Sequence, residues 1–154
     1  MAVPLEQWQE RMERHFAALA EHRAASGFPI FALEHGLDDG ELEEISEQLL
    51  ERLNTGLRLA PHWLLWTIYA AERGYTYEGG EYWQSFEDVT PGWDSRDRYR
   101  VKAWFSKFQS TYNGVAPSGP WASHFSIIAW PITHAVLPRY LQQQFARTLY
   151  DLRF

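Results

Sequence analysis

The chain has 154 residues, of which 45% are hydrophobic and 16% aromatic, enough for one domain with its own core. It has no cysteine, which excludes disulfides, thiol nucleophiles and zinc sites built on thiolates. The formal net charge of −6, with acid concentrated from Glu34 to Glu51, argues against a nonspecific nucleic-acid binder, whose footprint is a basic face.

The opening MAVPLEQWQERMERHF is charged and amphipathic rather than an apolar signal. A first helix is predicted over Leu5–Ala25, because Leu5, Trp8, Met12, Phe16 and Leu19 recur at three- and four-residue spacing. Pro4 sits near the first turn, where its missing N–H costs nothing, and Gly27 and Pro29 end the segment. Phe28–Leu33 is a short apolar run open to a strand or a buried helical turn. Asp38-Asp39-Gly40 signals a helix start. The second helix covers Glu41–Leu53, with Leu42, Ile45, Leu49 and Leu53 inward and Glu43, Glu44, Glu47 and Glu51 toward water; Asn54-Thr55-Gly56 closes it. Pro61 opens a third helix ended by Gly74. It is apolar nearly all round, the pattern of a central helix packed on several sides, with Trp63, Leu64, Leu65, Trp66, Ile68 and Tyr69 in the core. Its stretch His62–Ala71 is the longest apolar one in the chain, far short of the roughly 20 residues of a membrane helix. A cytoplasmic protein without a membrane partner is expected.

Tyr75–Trp93 reads as loop-rich: Gly79-Gly80 and Thr90-Pro91-Gly92 mark turns around a short helix at Glu81–Asp88, with at most a minor hairpin near Tyr75–Glu81. A fourth helix is predicted over Ser95–Tyr112. Val101, Trp104, Phe105, Phe108 and Tyr112 point inward, while Arg96, Arg100 and Lys107 line a second face, since eleven residues are close to three turns. Asn113-Gly114 ends it and Ala116–Pro120 makes a rigid turn. A fifth helix follows from Trp121 to about Trp130, then a short turn or helix from Pro131 to Leu137, and a final helix from Pro138. The expected fold is all-α: one compact, aromatic-rich bundle of five to six helices over residues 1–154.

In the final segment Leu141, Phe145, Leu149 and Leu152 share a face, and the sequence reaches Phe154 without the Gly, Asn or Pro that commonly ends a helix. The expectation is a hydrophobic seam that continues into further polypeptide. Tyr140, Phe145, Leu152 and Phe154 are its candidate interaction surface, facing the remainder of the same protein or a partner. Tyr, Trp and Phe are dense between Tyr69 and Trp130, beyond the needs of one helical core face, which suits a protein–protein contact as well as a core.

Chemistry-bearing residues are sparse. Glu34-His35 follows an apolar run and suggests acid–base chemistry or a metal pair, against the plainer reading that Glu34 caps or pairs locally and His35 sits at a turn. His124 and His134, with Glu72, Glu78, Glu81 or Glu87, offer a His/carboxylate metal set, but without a compact ligand spacing such as HExxH. Ser118, Ser123 and Ser126 lack a nucleophile-elbow context, and Pro117–Trp121 lacks the Lys-Ser/Thr of a phosphate loop. No catalytic residue, metal or cofactor is assigned. Arg96, Arg98, Arg100, Lys102 and Lys107 form the one strong basic cluster, near Tyr77, Tyr82, Trp83 and Trp93 in sequence. Arg96, Arg100 and Lys107 with Tyr82 and Trp83 are therefore a candidate face for stacking the bases of a single strand. The alternative is a solvated helix face with the aromatics in the core, or arginines paired with the acidic second helix.

Three strings, FALEHGL (Phe31–Leu37), GEYWQSFEDVTPGW (Gly80–Trp93) and WASHFSIIAWPITHAVLPRYLQQQFARTLYDLR (Trp121–Arg153), carry a resemblance. The chain resembles the N-terminal region of large multidomain bacterial proteins of poorly defined function, some associated with phage-defence gene clusters. The resemblance implies a helical front module in a much larger polypeptide and carries no catalytic set. The expected function is a noncatalytic helical interaction or scaffold module. The alternatives are nucleic-acid sensing through the basic and aromatic face, and a metal-dependent hydrolase.

Overall fold

Residues 2–25, 27, 30–56, 58–75 and 82–114 are described by a computed structural model, and they are all-α, joined by short turns. Helix α1 (Leu5–Arg23) starts where Pro4 offers its carbonyl to the amides of Gln7 and Trp8, at 3.0 and 3.2 Å. Leu5, Trp8, Met12 and Phe16 are buried as their spacing requires, and Leu19 is partly buried against them. Gln9 joins this stripe unexpectedly. It lies between α1 and the central helix, where its Oε1 accepts the Leu65 amide at 3.4 Å and its Nε2 donates to Glu13 at 2.9 Å. The helix stops at Arg23, short of the expected Ala25.

From Ile30 onward the apolar run after α1 combines both expected forms. Ile30 makes a single parallel bridge to Gly114, and Ala32–Glu34 closes one 3₁₀ turn. Helix α2 (Asp39–Asn54) begins two residues earlier than Glu41, because Asp38 is the cap. Its Oδ1 accepts the Glu41 amide at 2.8 Å, and Glu41 Oε1 accepts the Asp38 amide at 3.1 Å, a reciprocal capping box. Asp38→Ala is expected to cost about 1 kcal/mol and lower the melting temperature by a few degrees, measurable by thermal unfolding followed by circular dichroism. Ile45 and Leu49 are buried, whereas Leu42 and Leu53 are only partly so. Glu44 is not purely a solvent residue: it accepts the Trp8 indole N–H at 3.0 Å.

A 3₁₀ turn, Ala60–His62, feeds α3 (Trp63–Tyr75), which packs against α1, α2, α5, the short helix α4 (Tyr82–Asp88) and the 32–34 turn. Burial of Trp63, Leu64, Leu65, Trp66, Ile68 and Tyr69 follows from this central place. Helix α5 (Arg98–Tyr112) is preceded by a 3₁₀ turn, Ser95–Asp97, capped by the Asp94 carboxylate on the Arg96 amide at 2.9 Å. It ends at Asn113, whose φ of 56° is a left-handed conformation that asparagine tolerates. The next residue must be small: a Cβ on Gly114 would lie 2.4 Å from the Phe108 ring.

The core is a net of rings. Trp66 lies 5.4 Å from Tyr69, 5.6 Å from Trp93 and 6.1 Å from Trp104, between centroids. Phe86 sits edge-on to both Tyr69 and Trp93, at 5.6 and 5.1 Å, and Phe16 meets Phe108 edge-on at 5.1 Å. These are the favourable geometries of aromatic quadrupoles. The Tyr69 hydroxyl hydrogen-bonds Thr90 Oγ1 at 2.7 Å, tying the turn after α4 to the central helix. Burial pushes the Tyr112 phenol up to about 12, with Glu13 adding to the effect. No helix among the described residues is long and apolar enough to cross a membrane. The hairpin expected near Tyr75–Glu81 and the helices expected from Trp121, Pro131 and Pro138 lie outside the described residues.

Candidate functional site

The connection between α1 and α2 concentrates polar side chains at the edge of the core. Glu34 accepts the Phe31 amide at 2.8 Å and receives both Arg23 guanidinium nitrogens, one of them, Nη1, at 2.7 Å on Oε2. This bidentate pair raises the Arg23 pKa further above its ordinary value. His15 Nε2 donates to the Glu34 carbonyl at 2.6 Å. His35 is buried, with Nδ1 accepting the Leu37 amide at 2.9 Å and Nε2 against Glu72 Oε1 of α3 at 2.7 Å. An amide proton on Nδ1 fixes the tautomer, so Nε2–H donates to Glu72. Both ring nitrogens are thereby engaged, and neither offers a lone pair to a metal or to a substrate proton. Glu34 caps and pairs, and His35 staples the turn to α3. Glu72, the partner across 37 residues, could not be picked from the sequence.

The basic face is also internally matched. Arg96 forks onto Asp94 at 2.8–3.2 Å, Arg100 donates to Asp97 at 2.9 Å, and Arg98 pairs with Glu87. The matching acids are therefore local ones rather than those of α2, which instead pairs Glu41 with Arg11 and Arg52 with Glu6. Lys107 lies 4.6 Å from the Trp63 ring centroid, a cation–π contact. Trp83 is only 4% exposed, under the Arg98 guanidinium, so a base has no access to its face as the stacking role would require. The Tyr82 side chain lies outside the described residues, as do Tyr77, Glu78, Glu81, Ser118, Ser123, Ser126, His124 and His134, and the surface of Tyr140, Phe145, Leu152 and Phe154. Among the described residues no three His, Asp or Glu side chains converge as a metal site would need.

A different site emerges where α1, α2 and the 60–62 turn meet. Glu6, Gln9, Arg52, Arg58, Pro61 and His62 line a cavity of about 380 Å³. Arg52 Nη2 donates to Glu6 Oε1 at 2.6 Å. His62 is 2% exposed, and its Nε2 lies 3.4 Å from the same Glu6 oxygen without a hydrogen-bond partner. Its own backbone amide and then Arg52 hold the Glu6 carboxyl below the usual range. Burial, and then the Arg52 charge, push the His62 imidazole down. The sequence signal for this site was slight: a histidine after Pro61, at the mouth of the most apolar helix.

The His62 shift has a definite sign. Above its ordinary value of 6.5 the ring is neutral in both folded and unfolded chains. As pH falls through that value the unfolded chain takes up a proton that the folded chain resists, so stability falls. Urea unfolding at about pH 7.5 and about pH 5.5 is expected to show this loss, and His62→Gln is expected to flatten it.

Comparison of the chain with protein-family models, with curated proteins and with solved structures finds no match.

Proposed function

We propose that this helical unit is a noncatalytic interaction module that docks on a partner protein or on further polypeptide of its own. The observation that carries this reading is the engagement of His35. A buried imidazole held on one side by the Leu37 amide and on the other by Glu72 is a structural staple rather than a base or ligand. The matched charges of Arg96 with Asp94 and Arg100 with Asp97 lower the net positive field that a phosphate backbone would meet on this face, which favours the same reading. The resemblance to N-terminal regions of large bacterial proteins, some in phage-defence clusters, extends the proposal to a cytoplasmic module of that kind.

The test is in-cell crosslinking in the native host, followed by reconstitution of the purified chain with whatever protein is recovered, measured by sedimentation. A saturable complex of fixed stoichiometry is the expected result. A chain that stays monomeric and binds none of the recovered proteins would refute the module reading.

A further inference from the structure

We propose that the cavity between α1, α2 and the 60–62 turn is a binding site for a phosphate monoester group. It would hold the phosphate between Arg52, Arg58 and the Nε2 of His62. Two independent observations meet there. One is the pair of arginines on a cavity of about 380 Å³, within the range of small-ligand sites. The other is His62, a lining residue of that cavity whose buried Nε2 lies 3.4 Å behind the Glu6 carboxylate with no hydrogen-bond partner. Buried polar atoms are nearly always satisfied, and an anionic oxygen that the adjoining arginines also hold is one acceptor that would satisfy this one.

The Glu6 carboxylate shows where that acceptor would sit. Its Oε1 bridges Arg52 at 2.6 Å and lies 3.4 Å from His62 Nε2, close to both donors but bonded only to the first. The Glu6 side chain is 58% exposed on the first turn of α1, so it can swing into solvent at small cost. Arg58 is exposed and has no ion pair among the described residues, which leaves its fork available. With Glu6 displaced, two arginines and an imidazole line one cavity. That donor set suits a tetrahedral dianion with several acceptor oxygens better than a carboxylate with two.

The rest of the ligand has a place as well. A second cleft of about 740 Å³ shares Arg58 and Pro61 with the first and runs toward Leu59, Gly92 and Asp97. A phosphate in the smaller cavity would leave its ester oxygen facing this cleft, where apolar Leu59 and acceptor Asp97 could meet an organic body carrying donors.

The experiment titrates the whole chain with inorganic phosphate, adenosine 5′-monophosphate, acetate and chloride at constant ionic strength, following the His62 imidazole resonances by NMR. Saturable shifts with inorganic phosphate and with the nucleotide are expected. Tighter binding of the nucleotide would assign the second cleft to the ester's organic part; equal binding would confine recognition to the phosphate. Arg58→Gln, a surface change that leaves the fold intact, should weaken either ligand about tenfold, the loss of one charge-assisted contact. Glu6→Gln should tighten both, because it removes the competing charge. No saturation below about 10 mM, a response to acetate or chloride equal to that of phosphate, or an Arg58→Gln titration identical to the parent's would overturn the assignment.

Discussion

Trp66→Ala is expected to be the most damaging single substitution in the described fold, costing about 3–5 kcal/mol. The indole is 1% exposed on the central helix and touches the rings of Tyr69, Trp93 and Trp104 from three elements. Truncation removes the transfer free energy of the largest side chain and leaves a cavity that these three rigid neighbours cannot close. Domains of this size are stable by only about 5–15 kcal/mol, so the variant should lie close to its unfolding transition. Urea unfolding monitored by near-ultraviolet circular dichroism would measure the loss. Trp66→Phe keeps one ring in the space and should lose clearly less. A Trp66→Ala variant within about 1 kcal/mol of the parent would mean that the ring net is not the main support of the core.

The same helix shows why the fold was legible in the sequence. His62–Ala71 had no polar face, and a helix without one can be stable in water only with neighbours on every side. Its contacts with α1, α2, α4 and α5 are that inference in three dimensions. Helices with a clean stripe were equally readable, since Val101, Trp104, Phe105, Phe108 and Tyr112 are all buried on α5. Boundaries were less so: Asp38 moved the start of α2 back because the cap, not the first apolar residue, sets where a helix begins.

The polar sites resisted for a different reason. Helical periodicity predicts which face a residue occupies, but not which distant residue it meets. Arg96 and Arg100 were expected on one helical face, but Arg96 lies in the 3₁₀ turn before α5, and their partners Asp94 and Asp97 are two and three residues away, too close in sequence for a face argument to find. Glu72 stood in the sequence as a possible carboxylate beside His124 or His134, and nothing there pointed to His35 as its partner. Gln9 lies outside the apolar stripe that the spacing picks out, and is buried where the Leu65 amide needs an acceptor in the crowded first turn of α3. His62 follows the same logic: a turn that must precede α3 carries its histidine inward with the backbone.

His35→Leu is expected to destabilise the chain by about 2–3 kcal/mol, the second of the two large effects. Leucine fills much of the imidazole's volume, so the loss would come mainly from polar atoms. The Leu37 amide loses its acceptor, and Glu72 loses the donor that holds it against the core edge. Glu72→Gln makes the useful contrast. Its amide oxygen can still accept from Nε2–H, and only the charge is lost, so about 1 kcal/mol is expected. Combining the two changes should cost less than their sum, because the second removes a contact that the first has already broken. Hydrogen exchange should show faster opening of the Leu37 amide in His35→Leu, while amides in α5, remote from the staple, keep their relative protection. If Glu72→Gln instead proved as costly as His35→Leu, with the Leu37 amide still protected, the carboxylate's charge would be the essential feature. The imidazole would then be a partner of a working acid rather than a fastener between the turn and the central helix.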